Sequence, residues 1–426
     1  MSALAQYALQ CKIKVSGSDT AQNEQIEKLE KLGAKIFIGH ARNNAKGADA
    51  VVYTSAVSED NPELLFARDN QKLIMKRAEF LRCVEMSHDF SVAVAGCHGK
   101  TTATAMLAHV LICAQKSVTA MIGGEDVEIG NFTFGKDIFL TEACEYKRNF
   151  LYLSPDVAVI LNIDRDHLDC YRDFEDIVAA YKEFACGAIA VVNADDENAV
   201  RAAGENFVTF GVTNAAMYTC EDVRAEEGKL SFTLVEYGIK QGRVHLKVGG
   251  KHNVYNALAA IAAARQCGVS VQDAIRGVEN FKGVKRRFET IGELFGKKII
   301  ADYAHHPKEI VSTLSAAKNP LVVFQPHTYS RTKLLMAEFV GALKNYKGVI
   351  YSTYAARENY DAEGSAYTLY RTLKEQGADY IYAENPERLL QAIRERADAA
   401  DTVFVLGAGN IYDVILRLTE KFGHKV

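Results

Sequence analysis

The run Ser91-Val92-Ala93-Val94-Ala95-Gly96-Cys97-His98-Gly99-Lys100-Thr101-Thr102 decides how this chain is read. A short apolar strand ends in a glycine loop, and Lys-Thr-Thr opens an alanine-rich helix predicted over Ala103–Ala114. Such a loop binds a nucleoside triphosphate for physical reasons. Glycines let backbone N–H groups crowd around phosphate oxygens, and the helix N-terminus adds its partial positive charge. Lys100 is placed to reach the outer phosphates, and the Thr101 hydroxyl to join the shell of a magnesium ion. Val94 stands where the first glycine of the usual phosphate-loop spacing would be, and Gly96 lies only three residues before Gly99. The shorter form narrows the field to ATP-dependent ligases that join carboxylates to amines.

Outward from the loop, strands and helices alternate in both directions, which argues for parallel sheets faced by helices. Upstream, to about His88, the pattern predicts a strand over Lys12–Val15, a charged helix over Ala21–Leu32 and a buried strand over Ala50–Thr54. An amphipathic stretch over Asn70–Glu85 leads into the next domain. Downstream, Ile138–Glu142 and Val157–Asn162 are apolar runs suited to central parallel strands. Between Val208 and Gly250 shorter alternating segments, Leu230–Val235 and Arg243–Val248, suggest a small attached antiparallel sheet. Lys285-Arg286-Arg287-Phe288 marks a hinge. Beyond it, strands over Lys298–Asp302, Leu321–Gln325, Gly348–Thr353, Asp379–Ala383 and Thr402–Gly407 predict a doubly wound domain.

Bulk properties bound the function. A chain of 426 residues with 48% apolar and 24% charged residues suits a multidomain globular protein. The net charge of −4 leaves no basic footprint for nucleic acid or an anionic membrane. No apolar run approaches the roughly 18–20 residues that span a bilayer. The nine scattered cysteines lack zinc-like spacing and read as reduced thiols of a cytosolic protein.

Ligands of an open parallel sheet gather beyond the carboxyl ends of its strands. In the central domain three such ends are polar: the phosphate loop, Glu142, and Asn162-Ile163-Asp164-Arg165-Asp166-His167. Glu142 is a sensible hard-oxygen ligand for a second magnesium. On chemistry alone His167 is equally a helix-start or core histidine, since magnesium prefers oxygen. In the C-terminal domain, Asp302-Tyr303-Ala304-His305-His306-Pro307 and Gln325-Pro326-His327-Thr328-Tyr329-Ser330-Arg331-Thr332 follow successive strands. Asp302 suits ribose hydroxyls and Arg331 a carboxylate or phosphate. The neighbours His305 and His306 read as structural, because adjacent loop side chains rarely point at one ion.

These segments carry a resemblance. Gly96–Thr102, Asp166-His167, Gly250-Lys251-His252-Asn253, Gly283–Phe288, Asp302–Pro307 and Phe324-Gln325-Pro326-His327 occur in the order found in the Mur ligase family. The resemblance implies an α/β protein of three domains with mainly parallel sheets. A Rossmann-like UDP-sugar domain would cover residues 1–88, a P-loop ATPase-like domain 89–288, and a doubly wound amino-acid domain 289–426 that closes on the other two. It further implies ADP-forming ligation of L-alanine to the lactyl carboxylate of UDP-N-acetylmuramate through an acyl phosphate, in peptidoglycan precursor synthesis. By the same resemblance Gly96, Cys97, His98, Gly99, Lys100, Thr101 and Thr102 hold ATP. Thr101, Glu142 and His167 hold two magnesium ions; Asn253 and Asn256 meet adenine; Asp302 meets ribose and Arg287 the phosphates. His327 and Arg331 bracket alanine and the muramoyl carboxylate, while Ser16, Asp19 and Ser55 line the UDP site.

The chain departs from the family pattern in three places. Glu142-Ala143-Cys144-Glu145-Tyr146-Lys147-Arg148 lacks the more acidic, serine-containing sequence common there. Thr328 stands where many members carry arginine. The family's first strand and Gly-rich loop precede a helix like Met1-Ser2-Ala3-Leu4-Ala5, at which this sequence begins. The expectation is therefore a natural start upstream.

Overall fold

The computed structural model describes residues 1–165, 170–226, 229–315, 317–356 and 358–424. They fall into two compact units. One comprises Met1–Ala225, Ser231–Lys247 and Asn253–Lys282; the other comprises Glu226–Leu230, Val248–His252 and Gly283–Val426.

The first unit opens with a helix over Ser2–Gln10 and then carries four short strands, β1 (Ser16–Asp19), β2 (Lys35–Ile38), β3 (Ala50–Tyr53) and β4 (Leu73–Lys76). They pair in parallel as β1–β2 and β3–β4, two separate two-stranded sheets. Two expectations are corrected here. The strand expected at Lys12–Val15 starts later, because Lys12 and Ile13 close the preceding helix by donating to Leu9 and Ala8 carbonyls, with Lys12 at φ 61°. Asn70–Glu85 divides into β4 and a helix over Arg77–Glu85, whose start is fixed by Glu79 accepting from the Lys76 N–H at 2.6 Å.

The central sheet comprises β5 (Phe90–Ala95), β6 (Val118–Asp126), β7 (Gly130–Phe132), β8 (Ile138–Glu142), β9 (Val157–Ile160), β10 (Ile189–Asn193), β11 (Phe207–Phe210), β12 (Tyr218–Glu226), β13 (Lys229–Glu236) and β14 (Ile239–Leu246). Its order is β14-β13-β12-β11-β10-β9-β5-β8-β6-β7. The segments expected to form a small attached antiparallel sheet are continuous with the central one, because β12 joins β11 in parallel at Phe210 and Tyr218. β13 and β14 form a hairpin through Tyr237 and Gly238, both at positive φ as a two-residue turn with the sheet's twist requires. The helix Lys100–Cys113 is buried continuously from Thr101 to Leu111, which explains its alanines. The helix Val271–Asn280 lies so close to it that a Cβ on Gly277 would meet the Val110 Cα at 2.3 Å.

The second unit has one six-stranded sheet, β15 (Glu289–Leu294), β16 (Lys297–Asp302), β17 (Pro320–Phe324), β18 (Lys347–Tyr351), β19 (Tyr380–Ala383) and β20 (Thr402–Leu406). The order is β15-β16-β20-β17-β18-β19, parallel except for the β15–β16 hairpin. Leu321, Val323, Val403 and Val405 enter one core, while Val322, Phe324, Phe404 and Leu406 enter another. That alternation places hydrophobic cover on both faces, as a doubly wound sheet demands. β15 was not anticipated from sequence.

Candidate functional site

In the first unit β5 lies between β8 and β9, with Val94 opposite Glu142 and Ala95 opposite Ile160. Three polar strand ends therefore stand side by side. Gly96 and Gly99 take φ 139° and 86°, where a side chain would be strained. They are also crowded: a Cβ on Gly99 would come 2.6 Å from Asn256 Oδ1. Asn162, at the end of β9, clamps the loop by accepting from the His98 N–H at 2.8 Å and donating to the His98 carbonyl at 2.9 Å. The Cys97 N–H donates to the Asn162 carbonyl at 3.2 Å, and the Cys97 sulfur accepts from the Asp164 N–H at 3.1 Å.

Lys100 Nζ donates to the Gly96 carbonyl and to both oxygens of Glu145, at 3.0 and 2.9 Å. Burial alone would lower the lysine pKa; the facing Glu145 charge overcomes this and holds it well above the usual lysine range. Thr101 Oγ1 donates to Glu142 Oε2 at 3.1 Å, and the Gly123 N–H donates to Glu142 Oε1 at 2.5 Å. A Cβ at 123 would lie 2.7 Å from the carboxylate, so a larger residue there would displace Glu142. Thr101 and Glu142 thus offer two hard oxygens beside the phosphate loop. They are too few to hold magnesium alone, and suited to orient one that arrives with a triphosphate, so the donor set fits the implied group. His167 lies outside the described residues.

Asn253 and Asn256 are buried and joined to each other, Asn256 Nδ2 donating to Asn253 Oδ1 at 2.9 Å. The contact of Asn256 with Gly99 brings this pair against the phosphate loop. On the same helix Tyr255 donates to Asp195 at 2.9 Å, and Asp195 also accepts the N–H groups of Val212, Thr213 and Asn214. Ser16 and Asp19 occupy the two ends of β1, and Ser55 follows β3; all three are exposed. Glu63 gathers Ser18, which lies within β1, together with Asn44 and His40.

In the second unit the ends of β16, β20 and β17 converge. The Gln325 N–H donates to the Leu406 carbonyl at 2.9 Å and the Gly407 N–H to the Asp302 carbonyl at 3.1 Å. Asp302 accepts from the backbone of Phe288 and Ala304 at 2.8 and 2.9 Å. Burial raises its pKa, with the Arg287 charge opposing. Arg287 lies 4.9 Å from the Tyr303 ring centroid. His327 is stacked on Tyr354 at 5.6 Å and meets the edge of His305 at 5.8 Å. Burial, then the Arg331 charge, lowers the His327 pKa, and burial pushes His305 down to about 4. Both rings are therefore neutral at pH 7. His327 Nδ1 and Arg331 Nη1 are buried with no hydrogen-bond partner among the described residues. Thr328 between them takes φ 66° and ψ 146°, a conformation costly for a β-branched residue by about 1–3 kcal/mol. Such strain is a hallmark of ligand-handling loops.

The structure thus groups the phosphate-loop residues with Glu142, Asn253 and Asn256, and separately groups Arg287 with Asp302 and His327 with Arg331. Sequence reasoning assigned no role to Glu145, Asn162, Gly123 or Tyr354. Asn162 was legible as the polar end of an apolar strand; Glu145 carried no such signal.

The Mur ligase middle domain matches residues 94–264, the "Mur ligase family, catalytic domain" residues 1–85, and the "Mur ligase, glutamate ligase domain" residues 286–409. The UDP-N-acetylmuramate–L-alanine ligase of Clostridium acetobutylicum is 39% identical over 435 residues, spanning 97% of this chain and 94% of that protein. The enzyme of the same name from Acetivibrio thermocellus is 40% identical, over 97% and 92%. The crystal structure of UDP-N-acetylmuramate-alanine ligase MurC from Thermotoga maritima superposes with a TM-score of 0.85 at 31% identity, covering 99% of this chain and 96% of that one. With all three domain types matched in order and relatives this similar along nearly the whole length, the chain belongs to the Mur ligase family.

Proposed function

We propose that this protein is an ATP-dependent ligase that joins L-alanine to the lactyl carboxylate of UDP-N-acetylmuramate, releasing ADP and phosphate. The observation that carries the reading is the pairing of Thr101 with Glu142 beside a glycine loop whose lysine is held charged. The names and coverage of the similar enzymes supply the substrates.

In this reading residues 1–88 bind the UDP-sugar, with Ser16, Asp19 and Ser55 on its pocket. Residues 89–288 bind ATP, and residues 289–426 bind the amino acid. The loop N–H groups and Lys100 grip the triphosphate, with Asn253 and Asn256 at the adenine side. Magnesium, when held by Thr101 and Glu142 with His167, supplies charge neutralisation for phosphoryl transfer. A carboxylate oxygen of the sugar bonds to the γ-phosphorus as the bond to ADP breaks. The alanine amine then attacks the acyl carbon, and phosphate leaves with the bonding pair. Arg331 has an unpartnered buried guanidinium nitrogen suited to a carboxylate. His327, kept neutral, offers a ring nitrogen to the alanine amine. Asp302 and Arg287 serve the ribose and phosphate ends of the nucleotide. The cytosolic setting belongs to the same reading; all nine cysteines are free, and among the described residues no helix is long and apolar enough to cross a membrane.

Paired incubations with ATP and UDP-N-acetylmuramate, one with L-alanine and one with a tripeptide, test the amino-acid assignment. Phosphate release with alanine alone supports it; release with the tripeptide alone would reassign the chain to peptide addition.

A further inference from the structure

One of the segments that depart from the family pattern, Glu142–Arg148, also contains the partner of the phosphate-loop lysine. Glu145 presents both carboxylate oxygens to Lys100 Nζ at 3.0 and 2.9 Å, and its side chain is only 3% exposed. A carboxylate is not buried there by default, and several contacts fix it. The Glu145 carbonyl accepts the Tyr171 hydroxyl at 2.6 Å and the Arg148 N–H at 2.9 Å. The Arg148 guanidinium lies 5.1 Å from the Tyr171 ring centroid and pairs with Asp176 at 2.7 Å. Lys147 and Arg148 hold consecutive left-handed conformations, φ 51° and 55°, which non-glycine residues adopt at a cost. A strained turn, an aromatic brace and an ion pair thus converge on the position of one carboxylate.

The lysine's N–H groups are directed at Glu145 and at the loop's own Gly96 carbonyl. An arriving phosphate must draw the ammonium out of this grip or share it. We propose that Glu145 is a positioning residue of the phosphate loop, holding the Lys100 side chain aligned ahead of the nucleotide and yielding it to the phosphates on binding. The inference rests on the phosphate-loop reading above. It has an unusual consequence: the carboxylate opposes nucleotide affinity while it aligns the lysine for transfer. Replacing it by an amide of the same shape removes the opposing charge, so binding strengthens as chemistry slows.

The test compares Glu145→Gln and Glu145→Asp with the unmodified full chain. Equilibrium binding of a non-hydrolysable ATP analogue with magnesium is read calorimetrically without the other substrates, and kcat and KM for ATP are measured separately. Expected for Glu145→Gln is an affinity about threefold to tenfold tighter with kcat lower by about tenfold or more. Glu145→Asp keeps the charge but shortens the reach. Its affinity stays at the wild-type value, and its kcat falls between those of the wild type and the Gln variant. Unchanged or weaker analogue binding by Glu145→Gln overturns the proposal, as does an Asp variant no more active than Gln. If Glu145→Gln does not fold, the Asp variant decides: unchanged kcat per folded molecule overturns the proposal, and a lowered kcat at unchanged affinity supports it. Absence of analogue binding by the wild type overturns the phosphate-loop reading itself. Normal analogue binding without ligation affects only the proposed reaction.

Discussion

Lys100 sits in a buried ion pair, and this sets the consequences of changing it. Lys100→Met is expected to lower turnover by on the order of 100-fold or more, since a charge aimed at the developing phosphoryl transition state is lost. It also leaves Glu145 buried without its counter-ion, so a stability loss of about 2–4 kcal/mol is expected in thermal melting. The double variant Lys100→Met/Glu145→Gln should recover most of the melting temperature and none of the activity. Cys97 offers a second residue-scale prediction. Its half-buried sulfur accepts the Asp164 N–H at the mouth of the phosphate loop, where an added alkyl group would crowd the nucleotide. By contrast, burial pushes Cys220 up to about 11 and Cys267 up to about 12, which makes them poor nucleophiles. Thiol alkylation should inactivate the enzyme, MgATP should slow the inactivation, and Cys97→Ser should be resistant. Equal sensitivity of that variant would assign the effect to another cysteine.

At the scale of elements, function is organised by strand ends held together by backbone contacts. Asn162 links the end of β9 to the phosphate loop through both polar groups of its amide. Asn162→Ala removes both hydrogen bonds to the His98 backbone. The expected cost is about 1–3 kcal/mol, with nucleotide affinity weakened about tenfold while Glu142 and Thr101 remain in place. Calorimetric binding of ADP with magnesium checks this; unchanged affinity would show that the loop holds its shape unaided. The legibility of elements in the sequence followed their burial. β5, β8, β9, β17 and β20 are apolar on both faces, and their predicted limits hold to within two residues. β1 reads Ser-Gly-Ser-Asp and has no buried residue, so nothing in its pattern marked it as a strand. β15 carries a register irregularity around Gly292 that breaks its alternation. Lys100 and Glu142 were legible because each opens or ends an element with a recognisable period, whereas Asn256, inside its helix, was named only through the family resemblance. Glu145 lies in an irregular turn, where its meeting with Lys100 depends on the fold rather than on local pattern.

For the molecule as a whole, the second unit contains a stability dependence on pH. Burial lowers His305 and His252 to about 4, helped at His252 by the Arg287 charge. Both ordinarily titrate near 6.5, so between pH 6.5 and 4 the unfolded chain binds more protons than the folded one. Stability is then complete above pH 6.5 and declines as pH falls toward 4. The two groups together contribute on the order of 3–5 kcal/mol, reduced from the full shift because His305 is partly exposed. His305→Gln should flatten the decline in melting temperature between pH 7 and 4.5. An identical slope in the variant would place the acid sensitivity elsewhere. The doubly wound character of this unit and the ordered motifs were readable from the sequence as a whole. The extension of the central sheet by β12–β14 was not, since alternation shows which face of a strand is buried and not which neighbour it joins. The reaction itself is tested most directly by ADP formation in a complete mixture and in mixtures lacking one substrate each. ADP is expected only when UDP-N-acetylmuramate and L-alanine are both present with MgATP. ADP formation at the same rate without alanine, or none in the complete mixture from a folded chain that binds ATP, would contradict the proposed reaction.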